Sequence, residues 1–212
     1  MNRRTNSLAT RLFLSATAWV VLVLLFTGIV LSSVYKRSVE RAFDRRLNFY
    51  LRTLIAEAAA PLDDSGDKGD KGSERSAPSL GEPLFELPLS GWYWRMARTD
   101  GNKTEVRASR SLWDATLPNL EEQGVELDQS GVRLAYVAGP ENQNLRMVER
   151  PVDLGIEGKY LAAVAGDATE IDEETRAFNI YLAVTFAALT VGLLLTTIFQ
   201  VRFGLKPLKR IS

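Results

Sequence analysis

Two stretches of this chain carry no charged side chain, and they restrict what it can fold into more than anything else in it. Leu12 to Tyr35 runs 24 residues and Ala177 to Val201 runs 25 residues without an Asp, Glu, Lys or Arg. As helices each rises roughly 36 Å, at ~1.5 Å per residue, which crosses a hydrocarbon core of ~30 Å with some tilt. Both are read as transmembrane helices. A cleaved signal peptide has a shorter apolar core and a small-residue cleavage site, so the first run is read as a retained signal anchor.

The neutral total charge of the 212 residues hides a segregation. Residues 1–35 and 177–212 contain no acid, and the segment between them holds all 26 Asp and Glu against 19 Lys and Arg, a net charge of −7. Basic ends around an acidic middle place both termini in the cytoplasm and residues 36–176 outside. Lys36, Arg37, Arg41, Arg45 and Arg46 follow the first span, but the positive-inside bias weakens for loops beyond ~60 residues. The balance argues against a nucleic-acid binder. With no Cys and no His in the chain, there is no disulfide, thiolate, imidazole base or phosphorylatable histidine.

Beyond Tyr35 the apolar pattern changes rather than stops. Val39, Ala42, Phe43, Leu47, Tyr50, Leu51, Leu54 and Ile55 recur at three- and four-residue steps up to Ala58-Ala59-Ala60, which predicts a helix continuing past the membrane with one buried face. Such a helix can cover a sheet and carry displacement to or from the span. Pro61 ends it, and residues 61–82 read as a flexible, solvated insertion, polar and glycine-rich. Its repeated Gly-Asp-Lys lacks the spacing and terminal Glu of an EF-hand calcium loop.

The remainder reads as strands. Trp92 to Ala97 alternates and leads through Thr99-Asp100-Gly101-Asn102 into Thr104 to Ser109, a hairpin by its Asp-Gly turn chemistry. Ser111 to Glu122 reads as a short helix and loop. Val132 to Ala138 pairs across Gly139-Pro140-Glu141-Asn142 with Leu145 to Arg150, and Lys159 to Ala165, apolar after its first residue, suits a central strand. The expected fold is a membrane protein of α+β class, with a five-stranded antiparallel sheet between two membrane helices.

After the second span, Arg202 to Ser212 is basic and amphipathic, and Pro207-Leu208 with Ile211 resembles the start of a HAMP linker, where proline is harmless in the first helical turn. Without that resemblance the same residues read as a basic stop-transfer anchor. The whole plan resembles the sensor half of a bacterial two-component sensor histidine kinase with a PAS-like (PDC) extracytoplasmic domain. Gly91-Trp92-Tyr93-Trp94, Ser109-Arg110-Ser111-Leu112-Trp113-Asp114 and a strand ending Ala165-Gly166-Asp167 resemble PhoQ-type sensors. The layout implied is a cytoplasmic tail (1–11), transmembrane helix 1 (12–35), a periplasmic sensor domain (36–176), transmembrane helix 2 (177–201) and the start of HAMP (202–212).

The resemblance implies a multi-pass protein of the bacterial inner membrane, working as a homodimer. It would pass an extracytoplasmic stimulus through helix 2, with Pro207 and Leu208 as relay residues, to HAMP and kinase domains absent from this chain. A cognate response regulator would be met through that kinase region, and ATP and Mg would be needed only there. The chain itself holds no cofactor and should be inactive as a kinase alone. Two other readings share the residues: a chemoreceptor or cyclic-nucleotide signalling enzyme with the same input plan, and a non-signalling membrane-anchored binding module.

Two constellations are candidates for the input. Trp92, Tyr93, Trp94, Arg110, Trp113 and Asp114 can line a ligand pocket in which Arg110 holds an anionic group, or the tryptophans can be core. Asp167, Glu170, Asp172, Glu173 and Glu174 precede the second span. Glu170 to Glu174 can bind divalent cations and bridge to lipid phosphates, as the resemblance implies, or the run can start a helix, with Asp167 or Thr169 as N-cap and acids favoured by the dipole. No metal ligand is assigned.

Overall fold

The computed structural model describes residues 8–60, 80–100 and 106–204, so most of the 61–82 insertion, the Asp-Gly turn beyond Asp100, and Pro207, Leu208 and Ile211 lie outside it. The chain divides into two compact units, Met1–Val39 with Glu173–Ser212, and Glu40–Asp172. Helix α1 spans Leu8–Ala59 and helix α2 spans Thr169–Gly204. Each helix is longer than the uncharged run inside it.

In the first unit, both helices are long and apolar enough to cross a membrane, over Thr17–Ala59 and Thr169–Thr197. Their large side chains point outward, among them Leu25, Phe26, Ile29, Tyr181, Val184 and Leu195, the arrangement expected where the surroundings are themselves apolar. Where α1 and α2 meet, the absence of a side chain at Gly28 admits Phe186, whose Cε2 lies 3.0 Å from where a Cβ would stand. Near the other end of the contact, Tyr35 and Phe178 stack with ring centroids 4.0 Å apart.

The second unit is built on a five-stranded antiparallel sheet of β1 (Tyr93–Arg98), β2 (Val106–Ala108), β3 (Arg133–Ala138), β4 (Asn144–Asp153) and β5 (Lys159–Asp167), in the order β2-β1-β5-β4-β3. As its unbroken apolar run predicts, β5 is the middle strand, pairing with β1 on one side and β4 on the other. β3 and β4 join through Pro140–Asn142, with the Gly139 N–H donating to the Gln143 carbonyl at 2.8 Å. β4 runs three residues beyond its expected end at Arg150. Pro151 is tolerated there because the last β3 partner is Arg133, opposite Glu149, so β4 has a neighbour on one side only.

Cross-strand register fixes which side chains share a face. Tyr93, Ala165, Met147 and Ala135 form one row, and Trp94, Val164, Val148 and Leu134 the next, on the opposite face. Residues 40–59 of α1 cover the Trp94 face: Phe43, Leu47, Tyr50, Leu51 and Leu54 are buried at helical spacing, and the rings of Phe43 and Tyr50 lie 5.5 and 5.9 Å from that of Trp92. Each such side chain contributes ~1.5–3 kcal/mol by leaving water. The Tyr93 face is covered by the β2–β3 connection, through Leu112, Leu117 and Leu120. Of the short helix and loop expected over Ser111–Glu122, the helix is a 3-10 turn at Arg110–Leu112. It ends at Trp113, whose φ of 56° and ψ of −118° no helix can continue through.

Candidate functional site

Alternation along β1 separates the expected aromatic pocket. Trp92 and Trp94 are 5% and 1% exposed and belong to the helix-side core, while Tyr93 is buried on the other face. The Tyr93 hydroxyl donates to Gln143 Oε1 at 2.7 Å, and Gln143 Nε2 donates to the Leu89 carbonyl. Trp92 lies under a cation, with the Arg46 guanidinium carbon 4.4 Å from its ring centroid, an attraction of ~0.5–2 kcal/mol. Arg110, Trp113 and Asp114 are brought together elsewhere. With Glu86 and Pro88 they line an open concavity of about 430 Å³.

Two loops build that concavity. The Leu89 N–H donates to the Ser111 carbonyl at 2.8 Å, and the Ser111 hydroxyl donates to the Trp92 carbonyl at 2.6 Å, so the segment before β1 and the segment after β2 are held side by side. Leu89 and Trp113 both have φ near 56°, conformations that cost side-chain-bearing residues ~1–3 kcal/mol. The consequence is a tryptophan that is 73% exposed. Arg110 reaches Glu86 Oε2 at 3.6 Å across the rim, with both side chains largely solvated. A net-acidic rim with its one arginine already facing a carboxylate does not select for an anion.

The acidic run is divided among roles. Asp167 Oδ1 accepts hydrogen bonds from the Thr169 N–H at 2.9 Å and its hydroxyl at 2.6 Å, but the N-cap position belongs to neither expected residue: it is Ala168, whose carbonyl accepts from the Ile171 and Asp172 N–H groups. Glu170 pairs with Arg46 at 3.5 Å, and Asp172, Glu173 and Glu174 are exposed in the first two turns, where the helix dipole favours acids. Among the described residues no three His, Cys, Asp or Glu converge to hold a metal ion.

Two polar clusters escaped the sequence reading. Glu149, on β4, is fully buried beneath the β2–β3 connection, accepts the Leu120 and Glu121 N–H groups at 3.2 and 3.3 Å, and faces Arg95 at 3.5 Å and Arg133 at 3.7 Å. Burial pushes its carboxyl above the usual range despite both arginines, and pushes the Arg95 guanidinium down, so desolvation exceeds the attraction of the pair. Arg95 and Arg133 also donate to the Leu117 and Val125 carbonyls. Together the three side chains pin the connection to the sheet.

The second cluster ties α1 to the far edge. Arg146 Nε and Nη2 donate to the two oxygens of Asp44 at 2.9 and 3.0 Å, a bidentate pair. The Tyr136 hydroxyl donates to Glu40 at 2.9 Å, and the Arg146 guanidinium lies over its ring. Burial, then Glu40, pushes the Tyr136 phenol up to about 12. A charged residue inside an otherwise alternating strand was the available signal, since Arg95, Arg133 and Glu149 occupy inward positions of β1, β3 and β4. No protein-family model, curated protein or solved structure matches this chain.

Proposed function

We propose that this chain is the signal-input and transmembrane-signalling region of a sensor protein of the two-component histidine-kinase kind, with a PAS-like domain outside the bacterial inner membrane. The observation that carries the reading is continuity of the backbone. The helix that covers the sheet is the helix that holds the first apolar span, and α2 starts two residues after the central strand ends. Any rearrangement of the sheet is thereby felt by residues covalently continuous with both spans. A five-stranded antiparallel sheet with a long helix on one face supports the PAS-like assignment.

In this reading the domain works as a homodimer and biases a cytoplasmic output region entered through Pro207 and Leu208. ATP, Mg and the response regulator belong to that output region. The exposed face around Arg110, Trp113 and Asp114 is the candidate input, and the exposed acids Asp172, Glu173 and Glu174 are a second contact, toward divalent cations at the membrane surface. The test is a chimera in which this chain is joined to the HAMP and kinase domains of a characterised sensor kinase. Output should change when Asp44→Ala breaks the helix-to-sheet pair. Reporter fusions active only outside the cytoplasm should work after Gly69 and fail after Ile211. An output indifferent to residues 40–172, or the reverse reporter pattern, overturns the reading.

A further inference from the structure

The geometry points to a saccharide-binding site at the open concavity of Trp113, Arg110, Asp114, Glu86 and Pro88, taking a neutral pyranose ring. The inference deepens the reading of this face as the input by naming the ligand class. Its volume, about 430 Å³, is within the size range of small-ligand sites, ~300–1,000 Å³. Its one large apolar surface is the indole of Trp113, turned out into solvent by a backbone conformation that the neighbouring loop contacts maintain.

The lining decides among ligands. Three of its five residues, Glu86, Arg110 and Asp114, are charged, whereas the centre of a protein–protein interface is depleted of charge. Two acids against one base do not attract an anionic lipid headgroup, which is recognised by clustered Lys and Arg. A simple organic cation would meet Arg110 beside the same indole. A neutral polyol matches a concavity whose lining surface is mostly apolar and whose charged residues add a few polar atoms. The electron-rich face of an indole attracts the polarised C–H face of a sugar ring, carboxylates accept from vicinal hydroxyls, and the arginine fork donates to a pair of hydroxyl oxygens. Openness suits such a ligand, since the hydroxyls that find no partner stay in water. The solvated salt bridge across the rim joins Arg110 to Glu86 at 3.6 Å without saturating either group.

The fluorescence of the full chain tests this directly, because within the second unit Trp92 and Trp94 are buried and Trp113 is exposed. Trp19→Phe removes the remaining exposed tryptophan. The protein is held in a detergent without a sugar headgroup and titrated separately with chitotetraose, maltohexaose and, as the alternative, a cationic amphipathic peptide. A saturable change in emission with a neutral oligosaccharide is expected, and calorimetric titration, which does not need the Trp113 fluorophore, should show affinity falling at least ~10-fold in Trp113→Ala and recovering in Trp113→Tyr. Arg110→Gln should weaken binding with an unchanged melting temperature. No response to either sugar, calorimetric binding that persists undiminished in Trp113→Ala, or a response to the peptide alone overturns the proposal. A bound sugar that leaves the chimera's output unchanged retains the site and removes only its role as the input.

Discussion

Gly166 lies where β5 passes beneath the ring of Phe43, and it gives the sharpest test of the helix-to-sheet contact. A Cβ added there would stand 2.8 Å from Phe43 Cζ and 3.0 and 3.1 Å from Trp92 Cζ3 and Cη2. Ordinary contact begins near 3.4 Å, so Gly166→Ala requires two rings to retreat by roughly 0.3–0.6 Å. Neither is free to do so. Trp92 packs edge-on against Tyr50 and Phe85 and lies beneath Arg46. Overpacking of this kind costs ~1–3 kcal/mol, and the entropy gained by replacing a strand glycine returns ~0.5–1 kcal/mol. A net loss centred on ~1 kcal/mol should lower the melting temperature by ~3–6 °C, read by near-ultraviolet circular dichroism of the full chain in detergent. Phe43→Leu removes the closest atom, so the double variant should be more stable than the sum of the single changes by at least ~0.5 kcal/mol. An unchanged or raised melting temperature in Gly166→Ala, or strict additivity with Phe43→Leu, would refute the packing argument.

The raised carboxyl of Glu149 sets the sign of a pH effect. The folded state holds this proton more tightly than the unfolded state, so the group's contribution is full below the ordinary Glu value of ~4.3 and is lost as pH rises through the folded value. The stability difference between the natural chain and Glu149→Gln should therefore decline with rising pH across that window in denaturation series, and a difference that grows would reverse the assignment. Asp44→Ala should destabilise the domain by ~2–3 kcal/mol, because Arg146 is left half-buried without its bidentate partner. Adding Arg146→Met should recover at least ~1 kcal/mol of that loss in a denaturant double-mutant cycle.

Much of the fold was legible because burial leaves periodic marks. The uncharged runs defined both long apolar helices, the three-and-four spacing from Val39 carried α1 to Ala59, and the apolar run at Tyr160–Ala165 identified the central strand. The site was less legible. Trp92, Tyr93 and Trp94 are adjacent in sequence, but the two-residue period of a strand sends Tyr93 to one face and both tryptophans to the other. Trp113 has no such pattern around it. Its exposure follows from a single backbone conformation stabilised by contacts with a loop some twenty residues earlier.

What the sequence determined by itself is therefore the set of segments: where helices run, where strands alternate, and where charge is absent over a membrane's width. Those properties come from local sterics and from the side chain's preference for water or hydrocarbon, which each residue carries wherever it is placed. Only the tertiary structure decided the partners. Glu149 with Arg95 and Arg133, Asp44 with Arg146, and Trp113 with Arg110 and Asp114 at the rim depend on strand order and register. Those are set by how the whole sheet packs between α1 and the β2–β3 connection, and no single window of sequence contains that competition.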